Sequence, residues 1–172
     1  MGKSTELLAY FNLIQKRLES FSINYEDATK KWLDSLNNET VQIDWTTEYL
    51  DFYGKDSILQ KQNGYLGEDW QNGWFVICDA GADPFVINQQ DGKVYFSRHG
   101  QGAWKMIELA NNPIDFLKAL KCYIECYYDS FQENILDETY EIKSEFIDFL
   151  SLAIGDFLTK QQVRNFIFAV AG

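Results

Sequence analysis

From Gly73 to Leu109 the chain reads as β-structure almost without a break, so the rest must supply elements that cover a sheet. Trp74-Phe75-Val76-Ile77-Cys78 is a short apolar run with no alternation, the pattern of a strand buried on both faces. Asp79-Ala80-Gly81-Ala82-Asp83-Pro84 interrupts it with turn residues. Pro84 lacks an N–H and disfavours the helical region for Asp83, so the chain turns or extends there. Phe85 to Asn88 resumes as a strand. Asp91-Gly92 is a strong short hairpin signal, and Val94 to Arg98 is the return strand. A two-residue turn at Asp91-Gly92 puts Phe85, Ile87, Val94 and Phe96 on one face, the expected core. Val86, Asn88, Tyr95, Ser97 and His99 then share the other, mixed face. His99-Gly100-Gln101-Gly102-Ala103-Trp104 follows as a bending loop, and Lys105 to Leu109 as a further strand.

Helical patterns flank this stretch. Ser4 is an expected cap for a first helix with Leu7, Phe11, Ile14, Leu18 and Phe21 on one side. Asn24 is an expected cap for a second, with Ala28, Trp32 and Leu36 inward. Asp44 is read as the cap of a short helix carrying Trp45, Tyr49 and Phe52, stopped by Gly54 in the left-handed region. Ser57 to Gln62 is read as a strand and Asn63-Gly64 as a turn. Downstream, Asn112-Pro113-Ile114-Asp115 combines a cap, a proline at the first helical position and an early acid. Phe116, Leu117, Leu120, Ile124, Tyr127 and Phe131 form the stripe of that helix. A second helix carries Ile142, Phe146, Phe149, Leu150, Ala153 and Ile154 and ends at Gly155. The last opens with Thr159 and Gln162 as a capping box. No repeat and no linker divides the chain. The expectation is a single α+β domain over residues 1–172, its mixed or antiparallel sheet flanked by helices, with an added helical C-terminal part over 113–171.

Charge narrows the function classes. Fifteen Lys and Arg against 26 Asp and Glu leave a formal charge of −11, which repels nucleic acid and anionic membrane and attracts basic partners. Between Glu125 and Asp148 stand eight acids and one base, Lys143; they read either as a solvated helical surface or as an acidic docking face. No basic segment followed by an apolar one opens the chain, and no apolar run reaches the roughly 18 residues of a membrane span. A cytoplasmic location without membrane contact is therefore expected.

The chemistry-bearing residues are few. One histidine excludes metal sites that need two, and neither a metal nor any other cofactor is expected. Three cysteines make no disulfide framework; Cys122 and Cys126, four apart on a helix, read as buried thiols. Cys78, His99 and an Asp give the arithmetic of a triad, but a thiol within an apolar strand is inert by default. Asp79 and Asp83 could pair as in a glycosidase, yet both stand where turn formers stand. A small hydrolase on either set is the weakest reading, and phosphate-binding glycine loops are absent from the sequence.

Trp74-Phe75-Val76-Ile77, Gly81-Ala82-Asp83-Pro84-Phe85, Asp91-Gly92-Lys93-Val94-Tyr95, His99-Gly100, Trp104 and Asn112-Pro113-Ile114-Asp115-Phe116-Leu117, in that order and spacing, resemble the SUKH superfamily. This is the group of bacterial immunity proteins related to the fungal Smi/Knr cell-wall assembly regulators. The resemblance covers residues 73–117. The Leu-Pro-x-x-Tyr segment usual in the family is not found, and Trp45-Thr46-Thr47-Glu48-Tyr49 stands in its place, marking a divergent member. The resemblance implies a non-enzymatic protein-binding role: neutralising a cognate, basic bacterial toxin domain of a polymorphic or contact-dependent system, often a nuclease. The alternative it implies is a regulatory scaffold for an endogenous protein. The residues expected to carry binding are Asp79, Asp83, Asn88, Tyr95, Ser97, His99 and Trp104, with the acids facing partner Lys or Arg and the aromatics as anchors. The competing reading places them in a second small core under the C-terminal helices. A monomer or weak homodimer is expected.

Overall fold

In the computed structural model, which describes residues 2–21 and 28–172, six strands form one antiparallel meander in strict chain order. They are β1 (Val41–Trp45), β2 (Glu48–Phe52), β3 (Trp74–Ala80), β4 (Asp83–Asn88), β5 (Val94–Phe96) and β6 (Ile107–Ala110). Helices α1 (Lys3–Glu19) and α2 (Ala28–Ser35) precede the sheet, and α3 (Lys55–Tyr65) is inserted between β2 and β3. After it come α4 (Pro113–Ile124), continued by a π-helical stretch at Glu125–Ser130, then α5 (Ser144–Ile154) and α6 (Lys160–Ala171). The architecture is the expected α+β one, with every strand pair antiparallel. The Asn24 cap lies outside the described residues.

Alternation sorts the strands into two faces. Ile43, Trp45, Leu50, Phe52, Cys78, Phe85, Ile87, Val94 and Phe96 face the main core, all of them buried. There Phe11 of α1 meets Phe52 edge-on, Phe116 of α4 lies against Phe85, and Phe166 of α6 against Trp45. Asn112 caps α4 by accepting the Asp115 N–H, and the Thr159–Gln162 capping box opens α6, both as the sequence indicates.

The register of the central hairpin differs from the expectation in an instructive way. Asp91-Gly92 is not a two-residue turn: Asn88 accepts the Gly92 N–H, Asp91 accepts the Lys93 N–H, and Ile87 pairs with Val94. The loop is longer and the pairing moves by two residues. An even shift leaves every side chain on its original face, so the expected core face stands. The β3–β4 turn is tighter than the turn residues imply. Gly81 and Ala82, both at positive φ (54° and 75°), make it alone, and Pro84 sits inside β4 opposite Asp79.

Upstream the structure overturns three readings. Trp45 to Phe52 is no helix but the β1–β2 hairpin, turning at Thr46 with φ 54°. Ser57 to Gly64, read as strand and turn, lies within α3. Ser4 does not cap α1, which starts a residue earlier after Gly2; its buried hydroxyl donates to Asp129 instead. Gly54 is needed for another reason than supposed. Its φ is −88°, but a Cβ there would lie 2.2 Å from the Asn38 carbonyl oxygen and 2.3 Å from that of Glu39. The Asn37 and Asn38 carbonyls of the same loop accept the first amides of α3, those of Lys55 and Asp56 respectively.

Side chains from the C-terminal part reach backbone groups at both sheet edges. On β1, the Tyr128 hydroxyl accepts the Asp44 N–H and the Tyr123 hydroxyl the Thr46 N–H. On β6, Asn165 donates to the Glu108 carbonyl at 2.7 Å, and Gln162 donates to the Glu108 carboxylate. The Asp44 carboxylate takes Lys3 at 2.5 Å and the Tyr128 hydroxyl at 2.6 Å. Burial opposes its charge, but these two donors prevail and hold the carboxyl below the usual range.

Two predictions follow from this packing. Gly54→Ala forces backbone apart and costs about 3 kcal/mol in urea unfolding. Because the folded-state pKa of Asp44 is depressed, its contribution is complete above the unfolded value near 4 and is lost as pH falls through the lower folded value. The stability difference between the native chain and Lys3→Ala, measured by urea unfolding at neutral pH and at roughly pH 2, therefore shrinks on acidification.

Candidate partner-binding surface

The register assigns the expected site residues to opposite sides of the sheet. Asp79 pairs with Pro84 and Ala80 with Asp83, so the two carboxylates point to different faces. They cannot converge on one substrate.

On the face away from the main core, Asp79 is half-buried and accepts the Tyr65 hydroxyl at 2.5 Å. Burial first, then the Asp79 carboxylate, raises the Tyr65 pKa well above that of a free phenol. Tyr65 belongs to a ring cluster with Trp70 (centroids 5.2 Å apart) and Trp104 (5.9 Å), and Trp70 meets Trp74 edge-on at 5.4 Å. A second small core therefore exists, but it lies under α3 and the segment after it, not under the C-terminal helices. Gln62 of α3 pins it by accepting the Val76 N–H. Tyr95 donates to Asp91 at 2.6 Å and is half-exposed; burial and then Asp91 push its pKa up. Asn88 accepts the Gln90 N–H within the turn. Ser97 is buried, and its oxygen accepts the Lys105 N–H, closing the base of the 97–105 loop.

Asp83 anchors the other side. Its side chain is 5% exposed and accepts Arg98 Nη1 at 2.8 Å, the His99 N–H at 2.8 Å and His99 Nδ1 at 2.6 Å. Arg98 in turn donates to the Phe168 carbonyl of α6 at 2.9 Å and lies 5.3 Å and 5.2 Å from the Phe96 and Phe168 ring centroids. This links the end of β5 to the end of α6. The His99 ring remains 57% exposed, at the mouth of a loop that turns on Gly100 and Gly102, both at positive φ. Beside it lies an apolar-lined recess of about 200 Å³ bounded by Phe96, Ser97, Arg98, Gln101, Lys105, Ile107 and Phe168.

The structure thus joins Asp83 to His99 directly and Asp79 to Trp104 through Tyr65, and leaves Asn88, Tyr95 and Ser97 in separate local contacts. Tyr65, Trp70 and Arg98 were missed. The first two fall in or after a segment whose helical character the sequence pattern does not show; the only local signal for Arg98 is its place beside the sequence's one histidine, at the end of a strand. Cys78 points into the main core between its cross-strand partners Phe52 and Phe85. Burial, then the charges of Asp79 and Asp51, raises its thiol well above the ordinary value, the opposite of an activated nucleophile. Cys122 and Cys126 are free, half-buried and buried respectively. Among the described residues no group of three or more His, Cys, Asp or Glu is placed to hold a metal, and no helix is long and apolar enough to cross a membrane.

A family model described as SMI1 / KNR4 family (SUKH-1) matches residues 12–119. The match takes in α1 to β2, upstream of the stretch that carries the resemblance in the sequence, and ends within α4. No curated protein and no solved structure matches the chain.

Asp83→Asn removes the charge that Arg98 faces in a nearly closed setting. It should cost about 2–3 kcal/mol and raise amide exchange preferentially at the C-terminal end of α6, as read by hydrogen exchange.

Proposed function

The chain belongs to the SMI1/KNR4 (SUKH-1) family, and from that premise we propose that it is an immunity protein that binds and neutralises a cognate, basic bacterial toxin domain. The observation that carries the reading is the family match over residues 12–119. The charge of −11 supports it, since a cationic active site, such as that of a nuclease, is drawn to an acidic surface and occluded by it. In this reading the whole chain is one SUKH-like unit, cytoplasmic, monomeric or weakly dimeric, and it acts by binding, not by catalysis.

The contact region we propose is the mouth of the 97–105 loop and the adjoining hairpin face. Of the seven residues singled out in the sequence, His99, Tyr95, Trp104 and Asp79 keep accessible surface there. Asp83 and Ser97 hold the loop in place from beneath, and Asn88 shapes the neighbouring turn. The recess beside Phe168 accepts an apolar partner side chain next to the exposed His99 ring, and Tyr95 offers a polar contact on the opposite face of β5. The family's Smi/Knr members carry the second reading, a regulatory scaffold for an endogenous protein.

Tagged full-length chain, used as bait in extracts of its native host at low and high salt, separates the two. Capture of one basic polypeptide, released as salt screens the attraction, and rescue of cells expressing that polypeptide support immunity. Salt-independent capture of housekeeping proteins supports the scaffold. Tyr95→Ala with His99→Ala should weaken the captured complex by about tenfold or more while leaving circular dichroism unchanged; undiminished affinity places the contact elsewhere.

A further inference from the structure

α5 buries Phe146, Leu150 and Ile154 against the body of the protein and turns a second stripe outward. Glu145, Asp148, Phe149 and Leu152 recur at helical spacing on that outer side and all are exposed, Phe149 by 49% and Leu152 by 77%. An apolar pair displayed this openly beside two acids buries little against the body of the protein.

Its surroundings continue the pattern. Phe131 touches Phe149 edge-on at 5.9 Å and lines an open recess of about 640 Å³ together with Asn134, Asp137, Lys143 and Glu145. The loop between is well organised. Asp137 accepts the N–H groups of Thr139 and Glu141, Leu136 bridges to Ile142, and Tyr140 stands at the tip, 84% exposed. Around it, the eight acids of residues 125–148 are exposed. The one base among them, Lys143, turns its ammonium to the Asn134 carbonyl and side-chain oxygens at 2.9 and 2.8 Å. The surface therefore combines apolar anchors with a marked excess of acid.

We propose that the outer stripe of α5, with the Tyr140 loop at one end, is a docking surface for a basic amphipathic helix of a protein partner. The apolar side of such a helix covers Phe149, Leu152 and Phe131, and its flanking Lys or Arg face Asp137, Glu145 and Asp148. Charge complementarity selects this occupant: a second copy of the chain would bring the same acids against themselves. The surface belongs to the helical layer on the main-core side of the sheet, away from the ring cluster under α3, and all of it lies beyond residue 119, where the family match ends. It is a feature of this chain's own C-terminal part. The inference rests on the protein-binding reading but not on the toxin assignment.

The test uses ¹⁵N-labelled full-length chain titrated with a synthetic amphipathic helix of leucine and lysine, with a scrambled peptide of equal charge as control. The expected result is chemical-shift change centred on residues 131–152 for the amphipathic peptide only. Affinity should fall by about tenfold in Phe149→Ser/Leu152→Ser, and also in Glu145→Gln/Asp148→Asn, which keeps the apolar pair. Shifts centred on the 79–104 hairpin, equal binding of the scrambled peptide, or unchanged affinity in either variant overturns the proposal. So does self-association of the native chain that Phe149→Ser/Leu152→Ser abolishes, since a second copy is then the occupant. The titration uses no toxin. Its failure leaves the capture and rescue experiment intact, and failure of rescue leaves the mapped surface intact.

Discussion

An open sheet has two edges, and every outward N–H and C=O along them must find water or a partner. Here phenol and amide side chains partner several of them. Tyr123 and Tyr128 approach β1 from α4 and its π-helical continuation, and Asn165 and Gln162 approach β6 from α6. Trp45 adds a bond from its indole N–H to the Ala169 carbonyl. The helices after residue 119 thus do more than cover the core face. They satisfy edge groups of Asp44, Thr46 and Glu108 that the meander leaves outward, and Arg98 fastens the last of them to the sheet through Phe168 and Asp83.

How much of this was legible in the chain varied with how local the determining physics was. α4 and α6 were readable because their caps act over three residues: Asn112 with Asp115, Thr159 with Gln162. The central strands were readable because alternation and turn chemistry agree over Gly73–Leu109. Even the displaced hairpin register left the faces intact, since the error was two residues and the side-chain period is two. The failures lie where tertiary context decides. Trp45, Tyr49 and Phe52 fit a helical stripe, but Trp45 and Phe52 also fit one face of a hairpin, and only packing against Phe85, Phe11 and Trp32 chooses the hairpin. α3 carries an internal glycine and one buried side chain, Ile58, too little periodic signal to announce itself.

The site was legible in part for the same reason. The mixed polar face and the His-Gly loop were visible, and the family resemblance drew attention to them. Which groups stay available was not. Asp83 looked like an exposed turn acid and is instead enclosed by Arg98 and His99, a relation set by the fold of residues far apart in contact terms. Asp79 and Asp83 looked like neighbours and are separated by the sheet itself. Of the outer stripe of α5, Phe149 was grouped with the inward residues because it falls among Phe146, Leu150 and Ala153 in sequence; its exposure is fixed by how α5 rests on α4 and α6.

The strict chain order of the meander bears on how the protein is made. Each strand pairs with the one just before it, so the whole sheet can zip together from nearest-neighbour hairpins as it leaves the ribosome. The residues that reach its borders arrive later: Tyr123 and Tyr128 follow the last strand by a dozen or more positions, and Asn165 by more than fifty. For that interval the nascent chain carries a finished sheet with two unguarded margins, the form most able to pair with a neighbouring copy. The net charge of −11 opposes the approach of such copies.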